Sequence, residues 1–271
     1  MQKAVIVVPC YNESKRIDVE GFRRFFNDPW VDLLFVNDGS KDNTSEILAS
    51  FCASTCGRAS LIDLSRNQGK AEAVREGMLH ALDVGAEVTG YYDADLATPP
   101  EEMIRLVRTI DERCVDVAIA SRVQLLGTRI DRTPMRHYLG RVFATLASLV
   151  IKMPVYDTQC GAKAFRAGDV LRAALADPFH SRWFFDVELL GRLHHGATQL
   201  PGLPIEAFIE VPLLHWRDVP GSKLRPLDFP KSLVELIRIR RSLQFQARRV
   251  EDSRFAGTPE LTSGSLPGDS K

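Results

Sequence analysis

Over its first 120 residues the chain alternates short apolar runs with helical patterns, and this alternation restricts the fold more than any other feature. The runs lie at residues 4–8, 33–36, 60–64, 88–92 and 115–120. Helical spacing of apolar residues falls between them, near 19–26, 45–52, 71–82 and 101–111. Strands that are apolar along their whole length and separated by helices predict a parallel sheet covered on both faces. Asn43 and Glu46 have capping-box spacing for the second helix. Pro99 and Pro100 stand where a helix start tolerates them.

From Ser121 onward the pattern changes. A basic loop, 122–136, leads into an apolar helix around 142–151. Then come a polar segment at 157–161, a strand near 162–165 and a helix near 185–193. Two strand-like runs follow, 205–211 and 213–216, and 229–249 reads as one long helix. The tail, 251–271, is rich in Ser, Gly, Pro and Thr and is expected to be disordered.

At 271 residues, 45% hydrophobic and 26% charged, the chain has material for one sizeable core. A net charge of zero gives no reason to expect nucleic acid. The five cysteines are odd in number, and Cys52-x-x-x-Cys56 lacks a second pair at zinc-ligand spacing. They read as reduced thiols of a cytoplasmic protein. Lys3 to Val8 enters a strand at once, which leaves no room for a signal peptide. No stretch approaches the ~18 uncharged apolar residues that span a bilayer, so the protein is not expected to be integral to a membrane.

In an open parallel sheet, ligands bind outside the carboxyl ends of the strands. There Asp93-Ala94-Asp95 closes the fourth run. The period of a strand sets Asp93 and Asp95 on one side. Two carboxylates that close repel unless a cation or proton joins them. Hard oxygen ligands of this kind suit Mg²⁺ or Mn²⁺ carrying a diphosphate. The other runs end in Pro9-Cys10-Tyr11-Asn12-Glu13, Asn37-Asp38-Gly39-Ser40, Arg66-Asn67-Gln68-Gly69-Lys70 and Ser121-Arg122. Each patch alone reads as a turn or a helix cap, but five along one edge read as a site. The glycines form neither G-x-G-x-x-G nor a P-loop, which disfavours a dehydrogenase or a P-loop ATPase.

Val8-Pro9-Cys10-Tyr11-Asn12-Glu13, Val36-Asn37-Asp38-Gly39-Ser40, Asn67-Gln68-Gly69-Lys70 and Asp93-Ala94-Asp95 resemble the motifs of family 2 glycosyltransferases, in order and spacing. The segments 157–163, Arg182-Trp183-Phe184-Phe185-Asp186-Val187-Glu188 and Gly221-Ser222-Lys223 resemble the dolichyl-phosphate glucosyltransferase branch, with the mannosyltransferases as cousins. The resemblance covers roughly 3–225. It implies an α/β GT-A fold, a Rossmann-like and mostly parallel central sheet with helices on both faces. In that fold 1–120 would be the nucleotide-sugar half and 121–225 the acceptor half, followed by a basic amphipathic helix at 226–250 and the tail. Pro9, Tyr11 and Glu13 would flank the nucleoside, Asp38 would meet the base or ribose, and Asn67 and Lys70 would complete the pocket. Asp93, Ala94 and Asp95 match the metal-binding motif, so Mg²⁺ or Mn²⁺ would bridge the diphosphate. The implied reaction is inverting transfer of a hexose, glucose from UDP-glucose, to polyprenyl or dolichyl phosphate.

A lipid-phosphate acceptor is already an anion and needs cationic clamps more than a general base. Arg122, Arg136, Arg141, Arg217 and Lys223 are candidates, although any arginine of the 122–141 run also reads as solvated surface. Asp186 and Glu188 fall in the segment matching the acceptor-side acidic motif, and Asp157 is a second acidic candidate. The alternative is structural, with Asp186 capping a helix and Asp157 orienting an arginine. His194 and His195 read as surface or helix-end residues. Trp183, Phe184 and Phe185 read as core, with Trp183 alternatively a sugar platform.

In the 229–249 helix, Leu233, Leu236, Ile237, Ile239, Leu243 and Phe245 form an apolar face, and Lys231, Arg238, Arg240, Arg241, Arg248 and Arg249 crowd the rest. Such a helix suits either an anionic membrane, here at its cytoplasmic side, or packing on the domain. Two other functions fit the same residues: a soluble family 2 enzyme acting on a hydroxyl of a small molecule or glycan, and a nucleotide-sugar-binding protein without turnover. A nucleotidyltransferase would need a glycine-rich loop after the first strand, which Tyr11-Asn12-Glu13-Ser14 is not.

Overall fold

The computed structural model describes residues 3–131, 134–219 and 229–256, with side chains over 3–131, 140–219 and 233–246. The first half runs β1 (Ala4–Cys10), α1 (Val19–Phe22) with a 3-10 turn (Arg23–Asn27), β2 (Val31–Asn37), α2 (Thr44–Ala53), β3 (Ala59–Asp63), α3 (Lys70–Asp83), β4 (Val88–Tyr92), α4 (Pro100–Glu112) and β5 (Val117–Ser121). Every strand and helix expected there is present. The second half runs β6 (Arg129–Asp131), α5 (Pro134–Ile151), β7 (Ala162–Arg166), α6 (Asp169–Ala176), α7 (Phe185–His195), β8 (Phe208–Pro212), β9 (His215–Arg217) and α8 (Phe229–Ala256).

Seven strands form the central sheet in the order β3-β2-β1-β4-β7-β5-β8, and β6 pairs with β9 apart from it. All neighbours in the main sheet are parallel except β7, which runs antiparallel between β4 and β5. Alternation along β1 divides the core. Val5 and Val7 face one hydrophobic cluster with α3, α5, α6, α7 and α8, while Ala4, Ile6, Val8 and Cys10 face another with α1, α2 and α4. Each large apolar side chain so buried contributes roughly 1.5–3 kcal/mol. The strand order turns back between β1 and β4, and an α/β sheet opens its ligand crevice at such a point.

Several expectations are corrected. Asn43 makes no side-chain cap on α2; Asp42 Oδ1 accepts the Thr44 amide at 3.1 Å instead. The apolar helix begins at Pro134, eight residues before 142, and α6 is a further helix, an alanine-rich stretch too short to show a helical period in the sequence. The 205–211 run starts with a 3-10 turn, Ile205–Ala207, before β8. Residues 251–256 continue α8 rather than a disordered tail, and 257–271 lie outside the described residues.

In α8, Leu236, Ile239 and Leu243 are buried, and a Cβ on Gly191 of α7 would overlap Leu243. Leu233, Val234, Ile237 and Phe245 are exposed on the other side, beside exposed Arg238, Arg240 and Arg241. The broad apolar face of the sequence therefore splits in two, one half packed and one outward. The side chains of Lys231, Arg248 and Arg249 lie outside those described. No helix among the described residues is long and apolar enough to cross a membrane.

Candidate active site

Asp93 and Asp95 follow β4 directly and sit beside the loop that follows β1, at the point where the strand order turns. The Asp93 amide donates to the Gly161 carbonyl at 3.0 Å, which ties the acid to the segment entering β7. A Cβ on Gly161 would overlap the Asp93 carboxylate, so a larger residue there would displace that side chain. Lys70, the first residue of α3, donates to Asp93 Oδ1 at 2.5 Å. Burial works to lower the pKa of Lys70, but Asp93 and Asp186 outweigh it and the net shift is upward. Asp95 Oδ1 accepts the Ala97 amide at 3.0 Å. Its carboxyl is pushed up, first by burial and then by the Asp93 charge.

That upward shift is what a cation would relieve. Two hard carboxylates facing one crevice, one of them destabilised as an anion, fit a hard divalent ion. Among the described residues no group of three or more His, Cys, Asp or Glu could hold a metal. The donor set therefore fits an ion that completes its shell with ligand phosphates and water, as Mg²⁺ and Mn²⁺ do.

Asp38, expected to meet the base or ribose, is held by the loop that follows β3. It is 2% exposed. Its oxygens accept the Gln68 amide at 2.7 Å, the Gly69 amide at 2.8 Å and Asn67 Nδ2 at 2.9 Å. Asp38 thus shapes the turn that delivers Lys70, and Gly69, at φ +102, supplies the backbone that turn needs. Glu13 is buried and paired with Arg16, and its amide donates to Thr44 Oγ1 at 2.8 Å. Asn12 links to Ser40 and Lys41, so the loops after β1 and β2 form one unit. Pro9 and Tyr11 are half-buried at the crevice rim.

Behind the acid pair lies a buried polar cluster. Lys163 Nζ, in the middle of β7, donates to the Cys160 carbonyl at 2.7 Å and to Asp186 Oδ1 at 2.8 Å. Tyr91 Oη also donates to Asp186, and the Tyr91 ring lies 5.1 Å from Nζ. Burial pushes the Asp186 carboxyl up to about 7 and the Lys163 ammonium down to about 7. Asp186 does not cap α7; Ser181 Oγ accepts the Trp183 and Phe184 amides there. Lys163 lies at the end of the 157–163 segment and is not among the residues nominated from sequence. Its signal was a lysine inside an otherwise apolar strand, Ala162–Arg166.

The other nominated side chains spread out. Arg122 and Asp157 form a two-pronged pair, 2.7 and 2.8 Å, and Arg122 lies 5.3 Å from the Trp216 ring. Arg122 is thus no free clamp, and Asp157 orients it. Arg141 donates to the Tyr156 carbonyl at 2.9 Å and stacks on its ring. Arg217 is exposed in β9. Glu188 is fully buried between His180 and Arg192. His194 and His195 close the last turn of α7. Phe184 and Phe185 are core, but Trp183 is 46% exposed. The Arg136 side chain and all of Lys223 lie outside the described residues.

The profile of Glycosyl transferase family 2 matches residues 5–171. A dolichyl-phosphate beta-glucosyltransferase of Trichomonas vaginalis is 32% identical over 250 residues, covering 86% of this chain and 69% of that protein. The dolichyl-phosphate beta-glucosyltransferase of Saccharomyces cerevisiae is 30% identical over 259 residues, covering 87% and 73%. Among solved structures, glucosyl-3-phosphoglycerate synthase from Mycobacterium tuberculosis with Mn²⁺, UDP-glucose and phosphoglyceric acid superposes with a TM-score of 0.60. It is 18% identical, over 88% of this chain and 80% of that one, a likeness of fold.

Proposed function

The chain belongs to glycosyl transferase family 2, and from that membership we propose that it moves a hexose, glucose, from UDP-glucose to polyprenyl or dolichyl phosphate with inversion. The observation that carries the reading is the Asp93–Asp95 pair at the turning point of the sheet, with Lys70 against it. The names of the relatives at 30–32% identity support the donor sugar and the lipid-phosphate acceptor.

Asp93 and Asp95 would hold Mg²⁺ or Mn²⁺, which when bound neutralises charge on the departing nucleoside diphosphate. Lys70 adds an ammonium at the same place, already oriented by Asp38 through the Gln68–Gly69 turn. An acceptor phosphate oxygen attacks the anomeric carbon. The carbon–oxygen bond to the diphosphate breaks, and its electron pair leaves with that oxygen. A phosphate monoester acceptor arrives as an anion, so the attack requires no carboxylate base. This agrees with Asp186 and Asp157 being held by Lys163 and Arg122. Asp186 then acts as a positioning residue.

The outward face of α8 supports peripheral contact with an anionic membrane surface. It combines Leu233, Val234, Ile237 and Phe245 with three arginines, and no acidic residue falls between 236 and 246. Calorimetric titration with UDP and with GDP, each with Mn²⁺, tests the donor. Tighter UDP binding is expected; tighter GDP binding would move the reading to mannosyl transfer.

A further inference from the structure

Arg182 stands at the mouth of the site with no role assigned so far. It is exposed, in the segment between α6 and α7. Its Cδ, Cγ and Nε lie 3.2, 3.3 and 3.4 Å from the point a Cβ on Gly69 would occupy. The next residue is Lys70, whose ammonium pairs with Asp93. The guanidinium therefore begins directly over the turn that brings Lys70 to the acid pair.

The backbone beneath Arg182 is fastened on three sides. His180 bonds Glu188 through its amide at 2.9 Å and through Nδ1 at 2.7 Å. Ser181 Oγ donates to Glu235 of α8. Phe184 stacks on Phe143 of α5, with ring centroids 4.5 Å apart. Arg16, Arg122 and Arg192 each hold a carboxylate, whereas Arg182 has no ion pair among the described residues. A fixed backbone thus carries an arginine without a carboxylate partner among the described residues to the rim of a crevice built around acids and a lysine. The fork of a guanidinium matches two phosphate oxygens at once.

We propose that Arg182 binds a phosphate group of the ligand in this crevice, either the diphosphate of the donor or the phosphate of the acceptor. The proposal rests on the donor and acceptor assigned above, and the experiment separates it from them. Arg182→Gln and Arg182→Lys are made in the full chain. Titration with UDP and with uridine, in Mn²⁺, reads the donor phosphates. The KM for polyprenyl phosphate at saturating UDP-glucose reads the acceptor phosphate.

Arg182→Gln weakens one of these by about tenfold, the scale of a lost charge-assisted hydrogen bond. Its melting temperature stays that of the wild type, and Arg182→Lys falls between. Lost UDP affinity with unchanged uridine affinity assigns the donor diphosphate, and a raised KM alone assigns the acceptor. The proposal is overturned if neither constant moves beyond about twofold, if uridine and UDP weaken alike, or if a drop in melting temperature accompanies the loss. A wild type that binds UDP but gives nothing to polyprenyl phosphate defeats the acceptor assignment, and the UDP and uridine titrations then decide Arg182 alone.

Discussion

Lys163 Nζ lies 2.8 Å from Asp186 Oδ1, with the lysine side chain 0% and the aspartate 7% exposed. The pair joins β7 to the first turn of α7, and the same ammonium bonds the Cys160 carbonyl next to Gly161. Gly161 in turn holds the Asp93 amide. The buried pair is thus connected to the acid pair through one short stretch of backbone.

Breaking the pair should cost more than removing it whole. Lys163→Met alone leaves the buried Asp186 carboxyl to take up a proton or stay as an unpaired charge, and should destabilise by up to about 3–5 kcal/mol, most at high pH. Lys163→Met with Asp186→Leu should cost less than that single change, since no unpaired charge remains. Chemical denaturation of the two variants and the wild type measures the difference.

The same pair gives stability a pH dependence. The folded pKa of Asp186 is raised from 3.8 to about 7, so its contribution is present below about 4 and is lost as pH rises to about 7. The folded pKa of Lys163 is lowered from 10.5 to about 7, so its contribution is present above about 10 and is lost as pH falls to about 7. Relative to the double variant, the wild type should be weakest near neutrality and gain stability on both sides. Melting temperatures of both proteins across pH 5–9 test the sign.

Gly161→Ala should impair the metal site specifically. Its Cβ would overlap the Asp93 carboxylate. Overpacking of this kind costs about 1–3 kcal/mol. Mn²⁺-dependent UDP binding should fall while uridine binding, which needs no metal, holds. Equal binding of UDP by the variant and the wild type would remove Gly161 from the account.

Charge reversal at Arg238, Arg240 and Arg241 should abolish co-sedimentation with anionic liposomes. In the wild type that binding should weaken as salt rises, because each arginine contributes about 1 kcal/mol of screened attraction. Wild-type protein that ignores anionic liposomes would leave α8 as packing only.

The first half of the fold was legible because β1, β2, β4 and β5 are buried and mainly apolar on both faces and each helix between the strands has its own stripe. The antiparallel placement of β7 was not, since a run such as Ala162–Arg166 carries no mark of direction. The acid pair could be read because Asp93 and Asp95 close one apolar run among five that end in polar patches. What surrounds it could not, because those contacts join residues far apart in sequence: Asp38 with Gly69, Asp93 with Gly161, Lys163 with Asp186. Arg122 looked like a free cation for the same reason, its partner Asp157 lying 35 residues away.

Metal-assisted transfer of glucose to a lipid phosphate through Asp93 and Asp95 is open to one direct assay. The direct measurement incubates purified protein with labelled UDP-glucose, Mn²⁺ and polyprenyl phosphate and follows label into the organic phase. Transfer should vanish in excess EDTA and in Asp95→Ala, with the melting curve of that variant unchanged. Full transfer by Asp95→Ala or in EDTA, or label reaching a soluble hydroxyl acceptor while none reaches the lipid, would contradict it.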